Sequence, residues 1–244
     1  MFDGLLPATT RWAAGPSTAT VADLYAVEAD AVRGAVATRV AEFAVGRVAA
    51  RRALAALGTS PVAVPVGLRR MPAWPAGVVG SITHCAGLVA AAVGWSADWW
   101  ALGIDAEPAV VLEDDVRDAV TTPVERAALA DPLDATAVFC AKEAFYKCWS
   151  ALDGAVLEFT DVEISFDVSR ASPRASEPIG AVSRASDATG SARSFVATPA
   201  GGDPWPGRWA LRDGFVVAAA WWAAGTRSGP GTTQSARGGP PTAP

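Results

Sequence analysis

The chain of 244 residues carries a formal charge of −5 and is 51% hydrophobic with ten tryptophans, which suits a globular protein and argues against both a disordered chain and a general nucleic-acid binder. Two lysines (Lys142, Lys147) and one histidine (His84) stand beside eighteen arginines. A metal centre built on several histidines is therefore excluded, and any lysine or histidine chemistry falls on these three residues.

In chain order, the first ten residues carry Asp3 and Pro7 and lack the basic start and apolar stretch of a signal peptide. Cys85, Cys140 and Cys148 form an odd set without Cys-x-x-Cys spacing, which points to a reduced, cytoplasmic protein. Residues from about Asp30 to Leu57 read as a helix, with Val36, Val40, Phe43, Ala50, Leu54 and Leu57 on one stripe and Gly58 as its end. Arg47 falls near the centre of that stripe, Arg39 and Arg51 at its edges, and Arg52 away from it. An arginine on an apolar face needs a partner, which is either a core carboxylate or a bound phosphate.

The uncharged run from Met71 to Ala97 has the length of a membrane span, but Pro72, Pro75, several glycines and His84 interrupt it. It reads instead as strands, Val78 to Ile82 and Leu88 to Trp95, joined by a turn at Ala86-Gly87. Trp99 to Ala106 is the next strand, and Asp105 and Glu107, two apart, share one of its faces. The acidic stretch 113–118 is expected to be exposed, and Thr122-Pro123 marks a helix start. A second long helix spans about Ala135 to Leu152, with Lys142 at the edge of its apolar stripe and Glu143 and Lys147 on the far side. Leu157 to Asp167, Ser194 to Thr198, Arg208 to Arg212 and Phe215 to Ala224 read as strands, the last two joined at Asp213-Gly214. Ser169 to Arg193 reads as a mobile insertion, and 225–244, with nine Gly or Pro residues, as a disordered tail. The pattern is α+β, with two lobes at 1–105 and 106–224 and no strong sequence repeat between them.

Charge is unevenly placed. From Arg33 to Arg70 there are seven arginines and one acid, and from Gly103 to Asp134 nine acids and two arginines. Either these are two solvated faces or an anionic ligand sits beside a metal site. Asp105 and Glu107 offer hard oxygen ligands, and Glu143 is the natural third carboxylate of a Mg²⁺ site. The two lysines lie within one short segment, where they form either a surface pair with Glu143 or a compact source of positive charge at a site. No Gly-x4-Gly-Lys or Gly-x-Gly-x-x-Gly loop is present, so phosphate binding by those routes is unsupported.

Four segments in order, Glu42 to Leu54, Pro72 to Cys85, Gly103-Ile104-Asp105-Ala106-Glu107-Pro108 and Phe139 to Trp149, resemble the phosphopantetheinyl transferase superfamily. The branch resembled is that of the enterobactin-synthase-associated enzymes and the broad-specificity actinobacterial enzymes. The resemblance implies a pseudo-twofold fold in which each lobe packs a long helix on an antiparallel sheet. It also implies Mg²⁺-dependent (or Mn²⁺-dependent) transfer of 4'-phosphopantetheine from coenzyme A to a serine of acyl or peptidyl carrier protein domains, in polyketide, nonribosomal peptide or siderophore synthesis. Adenosine 3',5'-bisphosphate is released. Carried over by position, Asp105, Glu107 and Glu143 hold the metal. Arg39, Arg47, Arg51, Arg69 and Arg70 line the nucleotide and phosphate site, with Thr83 and His84 at the 3'-phosphate. Lys142 and Lys147 contact phosphate and the departing group, and Glu143, directly or through a metal-bound water, takes the serine proton. A monomer without membrane or nucleic-acid partners is expected. Met71 departs from the family pattern, in which an acid often stands at that position.

The nearest alternative is a fatty-acid-restricted holo-carrier synthase, whose chains are about half as long and act as trimers. A serine hydrolase using Ser81, His84 and Asp105 is disfavoured, because Gly80-Ser81-Ile82 lacks the second glycine of a nucleophile elbow. A non-catalytic coenzyme A-binding or carrier-binding module would be expected to lack a metal carboxylate or a lysine, and none is missing.

Overall fold

The computed structural model describes residues 1–152, 156–166 and 190–225. The expected tail lies outside them apart from Gly225, as does the expected insertion apart from 190–193. Strand β1 (Arg11–Ala14) precedes a short helix α1 (Ala26–Asp30) and the long α2 (Ala37–Leu57). The hairpin β2 (Val78–Cys85) and β3 (Leu88–Trp95) follows, then β4 (Trp99–Pro108), helices α3 (Asp114–Val120), α4 (Pro123–Ala128) and α5 (Asp134–Ala151), and strands β5 (Val162–Phe166), β6 (Arg193–Pro199), β7 (Trp205–Arg212) and β8 (Phe215–Ala223).

The expected helix from Asp30 begins late for a local reason. Gly34 sits at φ 77° and Val36 is extended, so the chain turns before Ala37. Val36 is consequently 71% exposed rather than part of the core stripe. Helix α3 forms where an exposed acidic stretch was expected, with Arg117 paired to Asp114 and Asp118. Strand β1, unforeseen in the sequence, exists because β3 offers it an antiparallel edge. The proline-broken run 71–97 does form strands, and no helix among the described residues is long and apolar enough to cross a membrane.

The strands form two antiparallel sheets, in the orders β1-β3-β2 and β4-β8-β7-β6-β5. Strand alternation then stacks four layers. Ala91 and Val93 of β3 face Ala49, Ala50, Ala53 and Leu54 of α2. Their neighbours Ala90 and Ala92 face Leu102, Ile104 and Ala106 of β4 and Val217 and Ala219 of β8, with Phe2 and Leu5 filling the space between the sheets. The opposite face of the large sheet, through Val216, Ala218, Ala220 and Trp222, packs on Ala137, Ala141, Ala144, Phe145 and Cys148 of α5. Alanine on the facing surfaces lets the layers approach closely. The α+β architecture is as expected, with a long helix on each antiparallel sheet. Strand β4 pairs with β8 and belongs along its whole length to the larger sheet.

Candidate active site

Strands β2 and β4 are the edges of their sheets, and they lie side by side where the two lobes meet. Two cavities lie along β2, the second of them reaching across to β4 and α5. The first, about 460 Å³, lies between α2, the β2–β3 hairpin and the 66–72 loop, and its polar lining is Arg39, Glu42, Arg47, Arg70 and His84. Phe43, Gly46, Ile82 and Val89 supply its apolar floor. Arg47 is buried, its guanidinium stands 4.1 Å over the Phe43 ring, and its Nε has no hydrogen-bond partner. Burial lowers its pKa to about 10, with Glu28 opposing that shift and Arg39 and Arg51 reinforcing it. A buried guanidinium with an open donor is a built anion receptor. Arg70 reaches this cavity from a turn in which Arg69 and Arg70 both take positive φ, 52° and 64°, an uncommon conformation for residues with side chains.

The second cavity, about 480 Å³, is lined by Met71, Pro72, Trp74 and Trp100, by residues 78–82 of β2, and by Glu143, Tyr146, Lys147 and Ser150 of α5. Pro72 and Ile82 line both cavities, so the arginine-rich space and the apolar space share a wall. Of these lining residues, Trp74 and Tyr146 fall within segments that carry the family resemblance, but the sequence assigned no role to either of them or to Trp100.

The carboxylates gather beside this second cavity. Asp105 is buried, and its Oδ1 accepts bonds from Thr83 Oγ1 (2.9 Å) and Lys147 Nζ (2.7 Å), while its Oδ2 has no partner. Lys147 also donates to the Ile104 carbonyl (3.0 Å). Burial, together with the charges of Asp105 and Glu143, pushes Glu107 up to about 7 against the pull of Lys147. Burial and the Asp105 charge likewise raise Glu143. The three do not form a closed ligand cluster among the described residues. Two carboxylates whose charged forms are disfavoured by burial and by the charge of Asp105, with one buried carboxylate oxygen unsatisfied, nevertheless fit a hard divalent cation, which would relieve both.

Several expected phosphate contacts lie elsewhere. Arg51 donates to both oxygens of the buried Glu28 (3.1 and 2.8 Å), so the core-carboxylate alternative holds for it. Lys142 is fully buried and donates to Glu125 Oε2 (2.7 Å) and the carbonyls of Val120 and Phe159 (2.9 and 2.7 Å), turned away from both cavities. Its position at the edge of the apolar stripe carries it into the core. Thr83 and His84 are adjacent in sequence and so point to opposite sides of β2: His84 lines the arginine-rich cavity, whereas Thr83 holds Asp105. Arg69 lines neither cavity. Ser81 and His84, three apart on a strand, also face opposite ways, which removes the hydrolase triad.

The buried carboxylates Glu28 and Glu125 were missed in the sequence. Their signal was indirect: each stands three residues after a helix cap, and each answers a cation on an apolar stripe.

Comparison with known proteins finds one family over both parts of the chain. A family profile described as the 4'-phosphopantetheinyl transferase N-terminal domain matches residues 27–94, and one described as the 4'-phosphopantetheinyl transferase superfamily matches 101–196. The 4'-phosphopantetheinyl transferase Npt of Nocardia iowensis is 37% identical over 206 residues, covering 80% of this chain and 87% of its own. The 4'-phosphopantetheinyl transferase Svp of Streptomyces mobaraensis is 41% identical over 207 residues, 80% of this chain and 77% of its own. Enterobactin synthase component D of Escherichia coli (strain K12) is 37% identical over 116 residues, 45% and 54% of the two chains.

Proposed function

We propose a division of labour between the two cavities of this chain, which belongs to the 4'-phosphopantetheinyl transferase superfamily and is a transferase using coenzyme A. The arginine-rich cavity takes the nucleotide and its phosphates through Arg39, Arg47, Arg70 and His84. The apolar cavity takes the pantetheine arm along Met71, Trp74 and Trp100. The observation that carries this reading is the shared wall of Pro72 and Ile82, which sets an arginine-lined cavity directly beside a more apolar one, as a polyphosphate joined to an amide-bearing chain requires.

The pyrophosphate then lies at the junction, beside Lys147 and the carboxylates. Asp105, Glu107 and Glu143 would hold Mg²⁺ or Mn²⁺, which supplies neutralisation of the charge gathering on phosphate oxygens. Lys147, fixed by Asp105, Thr83 and Ile104, places positive charge at the departing bisphosphate. Glu143 accepts the proton of the incoming serine hydroxyl, a task suited to a carboxylate whose pKa is raised by burial. Positioning and charge neutralisation do most of the work in phosphoryl transfer, so no covalent intermediate on the protein is needed.

The acceptors in this reading are acyl and peptidyl carrier domains of polyketide or nonribosomal peptide synthesis. One chain supplies both cavities, which favours action as a monomer over the trimer of the fatty-acid-restricted enzymes. Three free cysteines suit the cytoplasm. Incubated with coenzyme A, Mg²⁺ and an apo carrier, the protein is expected to add one phosphopantetheine mass to the carrier, and Glu143→Ala to abolish the addition. A rate unchanged by EDTA, or no mass shift with several carriers of each kind, would sink the reading.

A further inference from the structure

Each lobe holds a buried carboxylate that the site does not use, and the two are bonded alike. Glu28 is the third residue of α1 and Glu125 the third of α4, and they are 0% and 3% exposed. One oxygen of each accepts the backbone N–H of its own helix cap, Tyr25 (2.9 Å) or Thr122 (2.6 Å). The other accepts a backbone N–H from the chain beyond the long helix, Val64 (2.7 Å) or Ile164 (2.7 Å). Each carboxylate also takes a cation from the long helix, Arg51 of α2 (2.8 Å) or Lys142 of α5 (2.7 Å). Each cation donates in turn to the carbonyl two residues before the cap, that of Asp23 or Val120.

Such agreement in four bonds, with no strong likeness in sequence, marks the same structural device in both lobes. A buried charge whose bonding capacity is filled in this way is costly to disturb, and it fixes the depth and rotation of the helix that supplies its partner. On α2 the residue one turn before Arg51 is Arg47, and on α5 the residue after Lys142 is Glu143.

We propose that Glu28 and Glu125 are equivalent positioning residues of a repeated lobe, the first setting Arg47 for nucleotide binding and the second setting Glu143 for turnover. The inference rests on the roles given above to Arg47 and Glu143. It differs from a purely structural role because the two clasps should act on different kinetic constants.

The test uses the full chain and its Glu28→Gln and Glu125→Gln variants, with Arg51→Lys and Lys142→Arg as milder disturbances that keep the charge. Calorimetry measures the Kd for adenosine 3',5'-bisphosphate, and carrier modification at saturating coenzyme A measures kcat. Glu28→Gln is expected to raise Kd about tenfold and leave kcat within about twofold, since misplacing a contact by a fraction of an ångström is costly only for the step it serves. Glu125→Gln is expected to do the reverse, lowering kcat about tenfold and leaving Kd within about twofold. Arg51→Lys and Lys142→Arg should follow the same split at smaller amplitude, and they decide the matter if either glutamine variant does not fold. Folded variants with unchanged constants, or with Kd and kcat moving together in both lobes, would overturn the proposal. A wild type that binds no bisphosphate or modifies no carrier would show that the reading of the site has failed, and the clasp roles would fall with it.

Discussion

At the scale of single residues, the charged groups differ in how far the fold has supplied them with partners. Arg51 and Lys142 are tied to glutamates and carbonyls, whereas Arg47 Nε and Asp105 Oδ2 are buried and open. An unsatisfied buried group is a cost in the free protein that a ligand can recover. Arg47→Met should therefore raise the melting temperature of the ligand-free protein by about 2–4 °C while weakening bisphosphate binding at least about tenfold. Scanning calorimetry with and without the nucleotide checks both halves. A variant that melts lower and binds as tightly as wild type would mean that Arg47 serves the fold. The sequence placed Arg47 on the apolar face correctly, but it could not separate Arg47 from Arg51, because the partner of Arg51 is twenty-three residues away on another element.

Among the elements, α5 and β4 matter most, since the proposed cation ligands divide between them. Their separation is set at Gly103, where an added Cβ would lie 2.0 Å from the Ala144 carbonyl, next to Glu143. Helix and strand backbones thus touch two residues before Asp105. Gly103→Ala must push α5 outward, and the expected result is a folded but less stable protein whose turnover falls at least about tenfold, because displacement near 1 Å is expensive at a reacting centre. Steady-state assay and urea denaturation would show it, and an unaffected kcat would mean that the carboxylates tolerate a wider spacing. Much at this scale was legible in advance: both long helices, the β2–β3 and β7–β8 hairpins and the paired acids of β4 follow from periodicity and turn residues. Helix α3 and strand β1 were not, since the first depends on charges pairing along its own turn and the second on an edge supplied by β3.

For the whole molecule, the buried carboxylates are expected to make stability depend on pH and, in the proposed reading, on divalent cations. Glu107 keeps its proton up to about 7 in the folded chain, against 4.5 for the ordinary side chain. The folded state therefore binds more protons than the unfolded one between those values, and this group's contribution to stability declines as pH rises from about 4.5 to about 7. A cation held by the carboxylates removes that penalty where they are charged. Mg²⁺ should thus raise the melting temperature more at pH 7.5 than at pH 5.5, and EDTA should cancel the difference. Equal shifts at the two values would show that Glu107 is no part of the cation site.

By itself the sequence determined the α+β class, the two long helices, the resemblance to a transferase family and the residues from which a site could be built, because these depend on local periodicity and on motifs within a few residues of one another. The tertiary structure alone decided which of those residues remain open to a ligand. That outcome depends on distant partners: Glu28 reaches Arg51, Glu125 reaches Lys142, and Thr83 reaches Asp105 across the junction of two sheet edges. The fold leaves buried hydrogen-bonding positions unfilled at Arg47 Nε and Asp105 Oδ2, where a ligand could be met, and no pattern along the chain records which positions those are.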